Sequence, residues 1–323
     1  MSSAVHFSAD VRLSPPPAGD RPATLGAFSK TAPSNGGIRQ VSAGGIRWRM
    51  RADDAREEAR PRLLLLHGTG AGIHSWNGIW PLLAQDFQLL APDLPGHGST
   101  HAPDRWRPSL PAMADGLAAL LETEGFEPDL VVGHSAGAAL AARLTLDAQI
   151  APRALVAING AFMPYGGAAA GLMMPIARWC AESGVLTRQL ARRASQAGAV
   201  ERLLEQTGSA VTEEAAERYR EQLQRPEHVS GTLRMMAHWD LRPLLRDLRG
   251  LPRPLYLLVG DRDKTVPPRQ AEQLGRRIAL AATHHLPGLG HLAHEEQPAS
   301  VAALLNHIAA DHGLINRSEG SSQ

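Results

Sequence analysis

Residues 131–137 read VVGHSAG, and this stretch decides the fold. It joins an apolar run, typical of a buried strand, to the alanine-rich run SAGAALAARLTLDAQ, typical of a helix. Gly133, Ser135 and Gly137 form the G-x-S-x-G pattern of a nucleophile elbow, in which small residues permit a sharp strand-to-helix turn. Such a turn lifts the serine hydroxyl above the sheet edge, at the positive end of the helix. We therefore predict Ser135 as a nucleophile; an ordinary glycine-rich turn is the alternative.

Predicted strands and helices alternate on both sides of this turn. RLLLL (62–66) is a continuous apolar run, as expected of a strand that is buried on both faces. IRQVSAGGIRWRMR (38–51) predicts two short strands around a Gly-Gly turn. Further strand patterns are FQLLAPD (87–93), RALVAING (153–160) and PLYLLVG (254–260), and helix patterns are SWNGIWPLLAQ (75–85), LPAMADGLAALLETEG (110–125) and VAALLNHIAADHG (301–313). This order predicts an α/β fold: a mostly parallel central sheet with right-handed crossovers, flanked by helices.

The alternation stops between residues 161 and 240, where helical patterns with methionine, tryptophan and Gly-Gly breaks take over. We interpret residues 161–240 as a helical cap, or lid, inserted into an α/β core of residues 37–160 and 241–312. Residues 1–36 are rich in proline, glycine and serine and lack periodicity, so we predict a flexible N-terminal arm. Residues 313–323 predict a polar tail.

Composition argues against several classes of protein. The 323 residues carry a formal net charge of +1, which disfavours a nucleic-acid binder that depends on bulk phosphate attraction. Cys180 is the only cysteine, so neither an intrachain disulfide nor a cysteine metal site is possible. The N-terminus lacks the basic and apolar regions of a secretory signal, and no run reaches the roughly 18 apolar residues of a membrane span. We expect a cytoplasmic protein without a transmembrane segment.

A serine hydroxyl needs a base and an orienting acid before it becomes an effective nucleophile. After an elbow, the acid and then the histidine follow along the chain. VGDRDKTVPP (259–268) follows a predicted strand and offers two aspartates. We favour Asp263, three residues past Gly260, over Asp261, although either could instead hold a turn or cap a helix. Asp240, in AHWDL, is a weaker third candidate.

The histidine is expected on a loop after the last strand, and HHLPGLGHLAHEEQP (284–298) provides candidates. We favour His291, which follows a glycine and opens a helix. His284 and His285 fall within or beside the predicted strand, so they are interpreted as structural. His294 lies one turn into the helix, where a surface or capping role is expected.

A metal site is the alternative for this segment. His291, His294 and Glu295 form H-x-x-H-E, whereas the metalloprotease patterns are H-E-x-x-H and H-x-x-E-H. Neither is present, so we expect no metal and no cofactor.

LLLLHGTGAG (63–72) resembles the start of a dinucleotide site, because glycines follow a strand and Asp93 lies twenty-one residues past Gly72. The G-x-G-x-x-G fingerprint would require glycine at position 73, which is Ile73. We therefore interpret the glycines differently. Asp93 precedes the turn-forming run LPGHG and is expected to hold that turn.

Acyl transfer requires backbone N–H donors aimed at the developing oxyanion. One comes from the residue after the nucleophile, here Ala136, and the other from a loop after an early strand. HGTG (67–70) lies in that position, so Thr69 is the predicted second donor. His67 is expected to brace the loop and not to react.

Apolar side chains in the predicted cap have two interpretations. They are either core residues or an adaptable wall that contacts a bulky, hydrophobic acyl or alkyl group. The residues concerned are Met163, Met173, Met174, Trp179, Met235 and Met236.

Taken together, HGTG, APDLPGHG, GHSAG, GDRDKTVPP and GHLAHEEQP resemble, in that order, the motifs of the α/β-hydrolase superfamily. The resemblance covers about residues 38–312. It implies the α/β-hydrolase fold with a helical cap, and a serine hydrolase that uses Ser135, Asp263 and His291. Epoxide and haloalkane chemistry is disfavoured, because those relatives carry aspartate where this chain has Ser135.

A narrower resemblance rests on LLLLHGTGAGIHSW, APDLPGHGST, VVGHSAGAALAARLTLD, APRALVAINGAF, MMAHWDLRPLLRDL and LPGLGHLAHEE. These stretches are similar to the hydrolase-like family (BchO type) of bacteriochlorophyll biosynthesis, which is described as a magnesium-chelatase accessory family. The resemblance implies a photosynthetic bacterium, a pathway role around the insertion of magnesium into protoporphyrin, and contact with magnesium chelatase, but it does not define the reaction. From the catalytic motifs and the apolar cap residues we expect a small hydrophobic ester or a tetrapyrrole-related substrate. Three hypotheses remain open: a serine esterase, a non-hydrolytic accessory or porphyrin-binding protein, and C–C bond hydrolysis or perhydrolysis.

Overall fold

A single mixed sheet organises the part of the chain that the computed structural model describes, residues 37–53, 60–164, 189, 192–193 and 198–316. The strands lie in the order β1-β2-β4-β3-β5-β6-β7-β8. They are β1 (Gly37–Ala43), β2 (Ile46–Ala52), β3 (Arg62–Leu66), β4 (Gln88–Pro92), β5 (Leu130–His134), β6 (Ala154–Ile158), β7 (Leu255–Gly260) and β8 (Ala281–Leu286). β1, β2 and β4 pair antiparallel, and every pair from β4 to β8 is parallel. The predicted α/β class with a mostly parallel sheet is confirmed.

Helices connect the strands. They are α1 (Trp80–Leu83), α2 (Leu110–Thr123), α3 (Ala136–Leu146), α4 (Ala199–Thr207), α5 (Glu213–Leu223), α6 (Pro226–His238), α7 (Arg242–Asp247), α8 (Arg269–Gly275), α9 (Ala293–Glu296) and α10 (Pro298–Asp311). Short 3-10 turns cover Ile73–Trp76 and Leu248–Gly250. Helices α4 to α6 fall within the predicted cap.

Two apolar clusters cover the two faces of the sheet, because successive side chains of a strand point to opposite sides. In β3, Leu64 and Leu66 join the cluster that includes α2 and α3, whereas Leu63 and Leu65 join the cluster that includes α10. All four leucines are fully buried. The interpretation of RLLLL as a strand buried on both faces is confirmed.

The predicted hairpin at the start of the core is also confirmed. β1 and β2 pair from Gly37 opposite Ala52 to Ala43 opposite Ile46. Gly44 and Gly45 make the turn with φ of 56° and 73°, in the left-handed region that glycine enters without a steric cost.

One predicted helix is broken in the structure. SWNGIWPLLAQ (75–85) begins within a 3-10 turn, Ile73–Trp76, and then includes the four-residue α1 instead of one continuous helix. Gly78 is a weak helix former, and Pro81 lacks the N–H that a helix interior requires, so the chain restarts at Trp80. α5 was not singled out by the sequence patterns.

Several sequence predictions fall on residues that the structure does not describe. The N-terminal arm (1–36) and most of the polar tail (317–323) lie outside the described residues, as do residues 54–59. Met173, Met174, Trp179 and Cys180 also lie outside them. Within the described ranges, no helix combines the length and the apolar character that a membrane crossing requires.

Candidate active site

Ser135 stands between β5 and α3 in a strained backbone conformation, with φ of 51° and ψ of −115°. Such a conformation costs a non-glycine residue about 1–3 kcal/mol and persists only where its surroundings enforce it. Both flanking glycines are required. A Cβ at Gly133 would lie 2.4 Å from the Ala138 nitrogen, and one at Gly137 would lie 2.1 Å from the Leu66 carbonyl oxygen. The geometry matches the predicted elbow.

Backbone hydrogen bonds of Ser135 fix the conformation of the elbow. The Ser135 amide donates to the Ile158 carbonyl at 3.0 Å, and the Ser135 carbonyl accepts from the amides of Ala138 at 3.1 Å and Ala161 at 3.0 Å. The Ser135 carbonyl and the Ala136 N–H belong to one trans peptide group and point in opposite directions. The Ala136 N–H therefore faces away from these donors, and within the described residues it has no acceptor.

Asp263 and His291 form a buried pair. His291 Nδ1 lies 2.8 Å from Asp263 Oδ2, and the two side chains are 6% and 0% exposed. The other carboxylate oxygen, Oδ1, accepts from the amides of Thr265 at 2.7 Å and Val266 at 2.8 Å. Because the carboxylate accepts the Nδ1 hydrogen, Nε2 of the neutral ring is left without a proton. The pair has the arrangement of an orienting acid and a general base.

The other candidate acids lie at the surface. Asp261 pairs with His285 at 2.8 Å, and both side chains are more than two-fifths exposed. Asp240 pairs with Arg242, and its pKa is lowered by that guanidinium. Neither aspartate has a hydrogen bond to His291 among the described residues. This distribution favours Asp263, as the sequence predicts.

Two residues that the sequence patterns did not single out fix the loop of His291. Asn159, directly after β6, donates to the carbonyls of Gly290 and His291 at 2.9 Å, and its side-chain oxygen accepts from the Gly260 amide at 2.8 Å. His134 donates through Nε2 to the His291 carbonyl at 2.9 Å, and the two rings pack with centroids 4.7 Å apart. A polar residue ending an otherwise apolar strand, as in RALVAING, was the available signal for Asn159.

The HGTG loop follows β3 beside the elbow. A Cβ at Gly68 would lie 3.0 Å from Ser135 Cβ. His67 is fully buried and braces the loop, because Nδ1 donates to the Gly68 carbonyl at 2.8 Å while Nε2 accepts from the Leu94 amide at 2.8 Å. Burial lowers its pKa, so the ring is neutral. In the part of the chain that the structure describes, the Thr69 N–H has no acceptor.

Asp93 joins three segments around this loop. Its Oδ1 accepts from the Ile73 amide at 2.7 Å, and its Oδ2 accepts from the Ser99 amide at 3.3 Å and from Arg49 at 2.8 Å. Asp93 is fully buried, and a Cβ at Gly98 would overlap its carboxylate. The predicted role of Asp93 in the LPGHG turn is confirmed, and the residue also anchors the glycine-rich loop.

The sequence interpretation of His294 as a surface or capping residue is wrong. His294 is fully buried and donates through Nε2 to Ser75 Oγ at 2.9 Å. Ser75 in turn donates to Glu295, which also accepts from Tyr219 of α5 at 2.7 Å. The residue faces inward because α9 is only four residues long and is packed under the 3-10 turn of Trp76, whose ring lies 4.6 Å from that of His294.

Burial controls the ionisation of this network. Burial, followed by the charge of His291, lowers the pKa of His294 to about 3. Burial also raises the pKa of Glu295 to about 7, although the hydrogen bonds from Ser75 and Tyr219 oppose the shift. Glu295 therefore changes charge near neutral pH at the junction of α5 with the core.

The described methionines of the predicted apolar wall differ from one another. Met235 is fully buried, and its Sδ accepts from the Thr69 hydroxyl at 3.7 Å. Met236 is 57% exposed, and Met163 is partly buried against the core. Among the described methionines of this set, Met235 contacts the HGTG loop.

Comparisons with known proteins agree with this architecture. A sequence model of the Alpha/beta hydrolase family matches residues 63–304. The magnesium-chelatase 30 kDa subunit of Rhodobacter capsulatus is 37% identical over 235 residues, which cover 73% of this chain and 82% of that protein. The pimeloyl-[acyl-carrier protein] methyl ester esterase of Aromatoleum aromaticum is 27% identical over 261 residues, or 77% of this chain and 98% of that protein.

Solved structures share the fold. An alpha/beta hydrolase fold protein from Burkholderia ambifaria superposes with a TM-score of 0.69 at 22% identity, covering 84% of this chain and 98% of that one.

Proposed function

The chain belongs to the α/β-hydrolase family, and from that premise we propose that it is a serine esterase that hydrolyses a hydrophobic carboxylic ester. Ser135 Oγ attacks the ester carbonyl carbon, and His291 Nε2 takes the serine proton. Asp263 keeps His291 in the reactive tautomer and stabilises the imidazolium that forms. The amides of Thr69 and Ala136 stabilise the oxyanion.

In the steps that follow, His291 acts first as a general acid and then again as a general base. The tetrahedral intermediate collapses, and the alcohol leaves with the proton from His291, so that the acyl group remains on Ser135. His291 then removes a proton from water, and the resulting hydroxide attacks the acyl carbon. When this second tetrahedral intermediate collapses, the bond from the acyl carbon to Ser135 Oγ breaks, His291 returns the proton to Oγ, and the carboxylic acid is released. The groups named here carry every step, so the proposal invokes no cofactor or metal.

The buried Asp263–His291 pair supports this proposal most directly, because a neutral imidazole with a free Nε2 is the base that a serine hydroxyl requires. The strained elbow at Ser135 and the Thr69 and Ala136 amides, which have no acceptor among the described residues, are consistent with the same chemistry. Met235 is buried against the Thr69 hydroxyl and makes the surroundings of the oxyanion loop apolar, which is consistent with a hydrophobic acyl or alkyl group.

Hydrolysis of a panel of p-nitrophenyl esters by the wild type and by Ser135→Ala tests the proposal. We expect the wild type to prefer longer acyl chains and Ser135→Ala to lose at least about a thousandfold in kcat. Equal rates for both proteins would contradict serine catalysis. The same panel should include a diketone and a peracid assay, because C–C bond hydrolysis and perhydrolysis use the same three residues.

The identity to a protein named as a magnesium-chelatase subunit supports a role in magnesium-tetrapyrrole, and hence bacteriochlorophyll, synthesis. The substrate would then be a tetrapyrrole-related ester, and the protein would contact magnesium chelatase. The same identity favours a second function, in which the protein binds a porphyrin or the chelatase without hydrolysis.

Complementation separates the two functions. In a strain that lacks the protein, the esterase proposal expects Ser135→Ala to fail to restore pigment synthesis. Full rescue by Ser135→Ala would instead support the accessory role, since a binding function does not require the Ser135 hydroxyl. Protein levels of the variant and the wild type must be compared by immunoblot.

A further inference from the structure

His228, in helix α6, is a buried histidine that the proposed mechanism does not use. It is 1% exposed and reaches two loops of the core at once. Its Nδ1 accepts from the Gly98 amide at 3.1 Å, so the neutral ring carries its hydrogen on Nε2. Nε2 donates that hydrogen to the Gly70 carbonyl at 3.1 Å. Burial lowers the pKa of His228 to about 4, which keeps the ring neutral near pH 7.

Two peptide groups connect the Gly70 carbonyl to the predicted oxyanion donor, the Thr69 N–H. Gly70 C=O shares its peptide with the Ala71 N–H, which donates to the Gly68 carbonyl at 3.2 Å. Gly68 C=O in turn shares its peptide with the Thr69 N–H. Because C=O and N–H are antiparallel in a trans peptide, donors that hold the Gly68 carbonyl aim the Thr69 N–H the other way. His67 holds the same carbonyl from a second direction, at 2.8 Å.

The packing of α6 against the core keeps His228 in this position. Gly231, one turn after His228, contacts the turn that follows β4 so closely that a Cβ on it would lie 1.9 Å from the Gly96 carbonyl oxygen. Thr232 lies beside Gly70, since its Cγ2 is 3.6 Å from where a Gly70 Cβ would be. This face of α6 is therefore packed directly against the loop that carries Thr69.

We propose that His228 is a positioning residue for ester hydrolysis: from the cap, it fixes the Gly70 peptide and thereby aims and polarises the Thr69 N–H. The inference rests on the proposed serine esterase, and His228 itself does not touch the substrate. Successive hydrogen bonds in a buried chain polarise one another, so the donor at the end of this chain is strengthened as well as oriented.

Two conservative variants separate the contacts of His228. In His228→Gln, the side-chain amide nitrogen can occupy the place of Nε2 and donate to Gly70. In His228→Asn, the shorter side chain can place its oxygen near Nδ1 and keep the Gly98 contact but cannot reach Gly70. With p-nitrophenyl butyrate, we expect His228→Asn to lose about tenfold in kcat with KM within about twofold, and His228→Gln to recover most of the kcat.

Amide hydrogen exchange gives a second measurement that needs no substrate. Loss of the Gly70 contact should free the Ala71 N–H, so its exchange should become at least about tenfold faster in His228→Asn and stay near the wild-type rate in His228→Gln. Unchanged Ala71 exchange in His228→Asn, or equal kcat losses in both variants at matched Tm, would overturn the inference. Failure of the esterase itself is seen separately, as equal rates for the wild type and Ser135→Ala.

Discussion

At the scale of single residues, two aspartates two positions apart in one loop, Asp261 and Asp263, each hold a histidine at 2.8 Å. The environments of the two pairs differ. Asp263 is buried, and its second oxygen is occupied by two amides, whereas Asp261 and its partner His285 are substantially exposed. An exposed pair contributes little free energy, because water screens it and holding the side chains costs entropy.

We therefore expect Asp263→Asn and Asp261→Asn to have different effects on esterase activity. Asparagine at 263 can donate to His291 Nδ1 and so favours the tautomer with the proton on Nε2, which cannot accept the serine proton. The expected loss in kcat is about three to four orders of magnitude, as in serine proteases. Asp261→Asn serves as the matched control and should stay within about twofold in kcat. Comparable losses in both variants would contradict the assignment.

The residues that stand in catalytic motifs could be identified from the sequence, and the residues that position them could not. Ser135, Asp263 and His291 stand in recognisable motifs, and the structure brings Asp263 and His291 together. Asn159, His134 and His228 act through carbonyls and amides that become their neighbours only after folding. No periodicity or motif contains that information, and for His294 the helical pattern indicated the wrong environment.

At the scale of elements, helix α6 meets the turn after β4 through two glycines. Gly96 has a φ of +82°, and Gly231 faces it with no room for a side chain. Elsewhere, alanine in place of a helical glycine stabilises a helix by up to about 1 kcal/mol. At position 231, the close contact with Gly96 should instead make alanine destabilising.

We expect Gly231→Ala to lower the free energy of unfolding by about 1–3 kcal/mol, because the added methyl group must displace α6 from the turn. The displacement should also reduce kcat, since α6 carries His228. Gly250→Ala is the control, because a Cβ there has no atom within 4 Å, and it should change the free energy of unfolding by less than about 1 kcal/mol. Urea unfolding and p-nitrophenyl butyrate kinetics measure both effects, and a stabilised Gly231→Ala would contradict them.

Elements with a clear apolar pattern could be predicted from the sequence, and elements shaped by tertiary contacts could not. RLLLL, PLYLLVG and the apolar run that leads into GHSAG form strands β3, β7 and β5. Their continuous apolar character predicts strands that are buried on both faces, and all three are buried. The segment 75–85 has helical spacing but is divided by Asn77, Gly78 and Pro81. The 3-10 turn in which it begins is fixed by a hydrogen bond from Ile73 to Asp93. α5 is mostly charged, so its pattern alone did not distinguish it from a solvated loop.

At the scale of the whole molecule, Glu295 connects helix α5 of the predicted cap to the core, because its carboxylate accepts hydrogen bonds from Tyr219 and from Ser75. Its carboxyl has a pKa of about 7, raised from 4.5 by burial. The folded state therefore binds a proton more tightly than the unfolded state between these values. The contribution of Glu295 to stability is fully present below about pH 4.5 and is lost as the pH rises through 7.

We expect Glu295→Gln to remove this loss while keeping an oxygen that accepts from Tyr219. Relative to the wild type, the variant should gain about 3 kcal/mol in the free energy of unfolding between pH 4.5 and pH 8. The difference between the two proteins is the quantity to measure, because buried histidines such as His294 change the stability of both in the opposite direction. A difference that does not vary with pH would contradict the prediction.

The division into a core and an inserted cap remains a prediction at this scale. A break in alternation identifies where an insertion begins, but the way in which it docks depends on contacts such as Gly231 with Gly96. Such contacts are long-range in sequence, so composition does not specify them.

The elbow at Ser135 has a consequence for how this protein can evolve. The bonds that enforce its geometry are made by the backbone of Ser135, Ile158, Ala138 and Ala161, and the steric demands fall on Gly133 and Gly137. The identity of the side chain at position 135 therefore contributes little to the shape that displays it. A change of one codon could present a thiol or a carboxylate at the same point in space, so selection can exchange the reactive group while the scaffold is inherited intact.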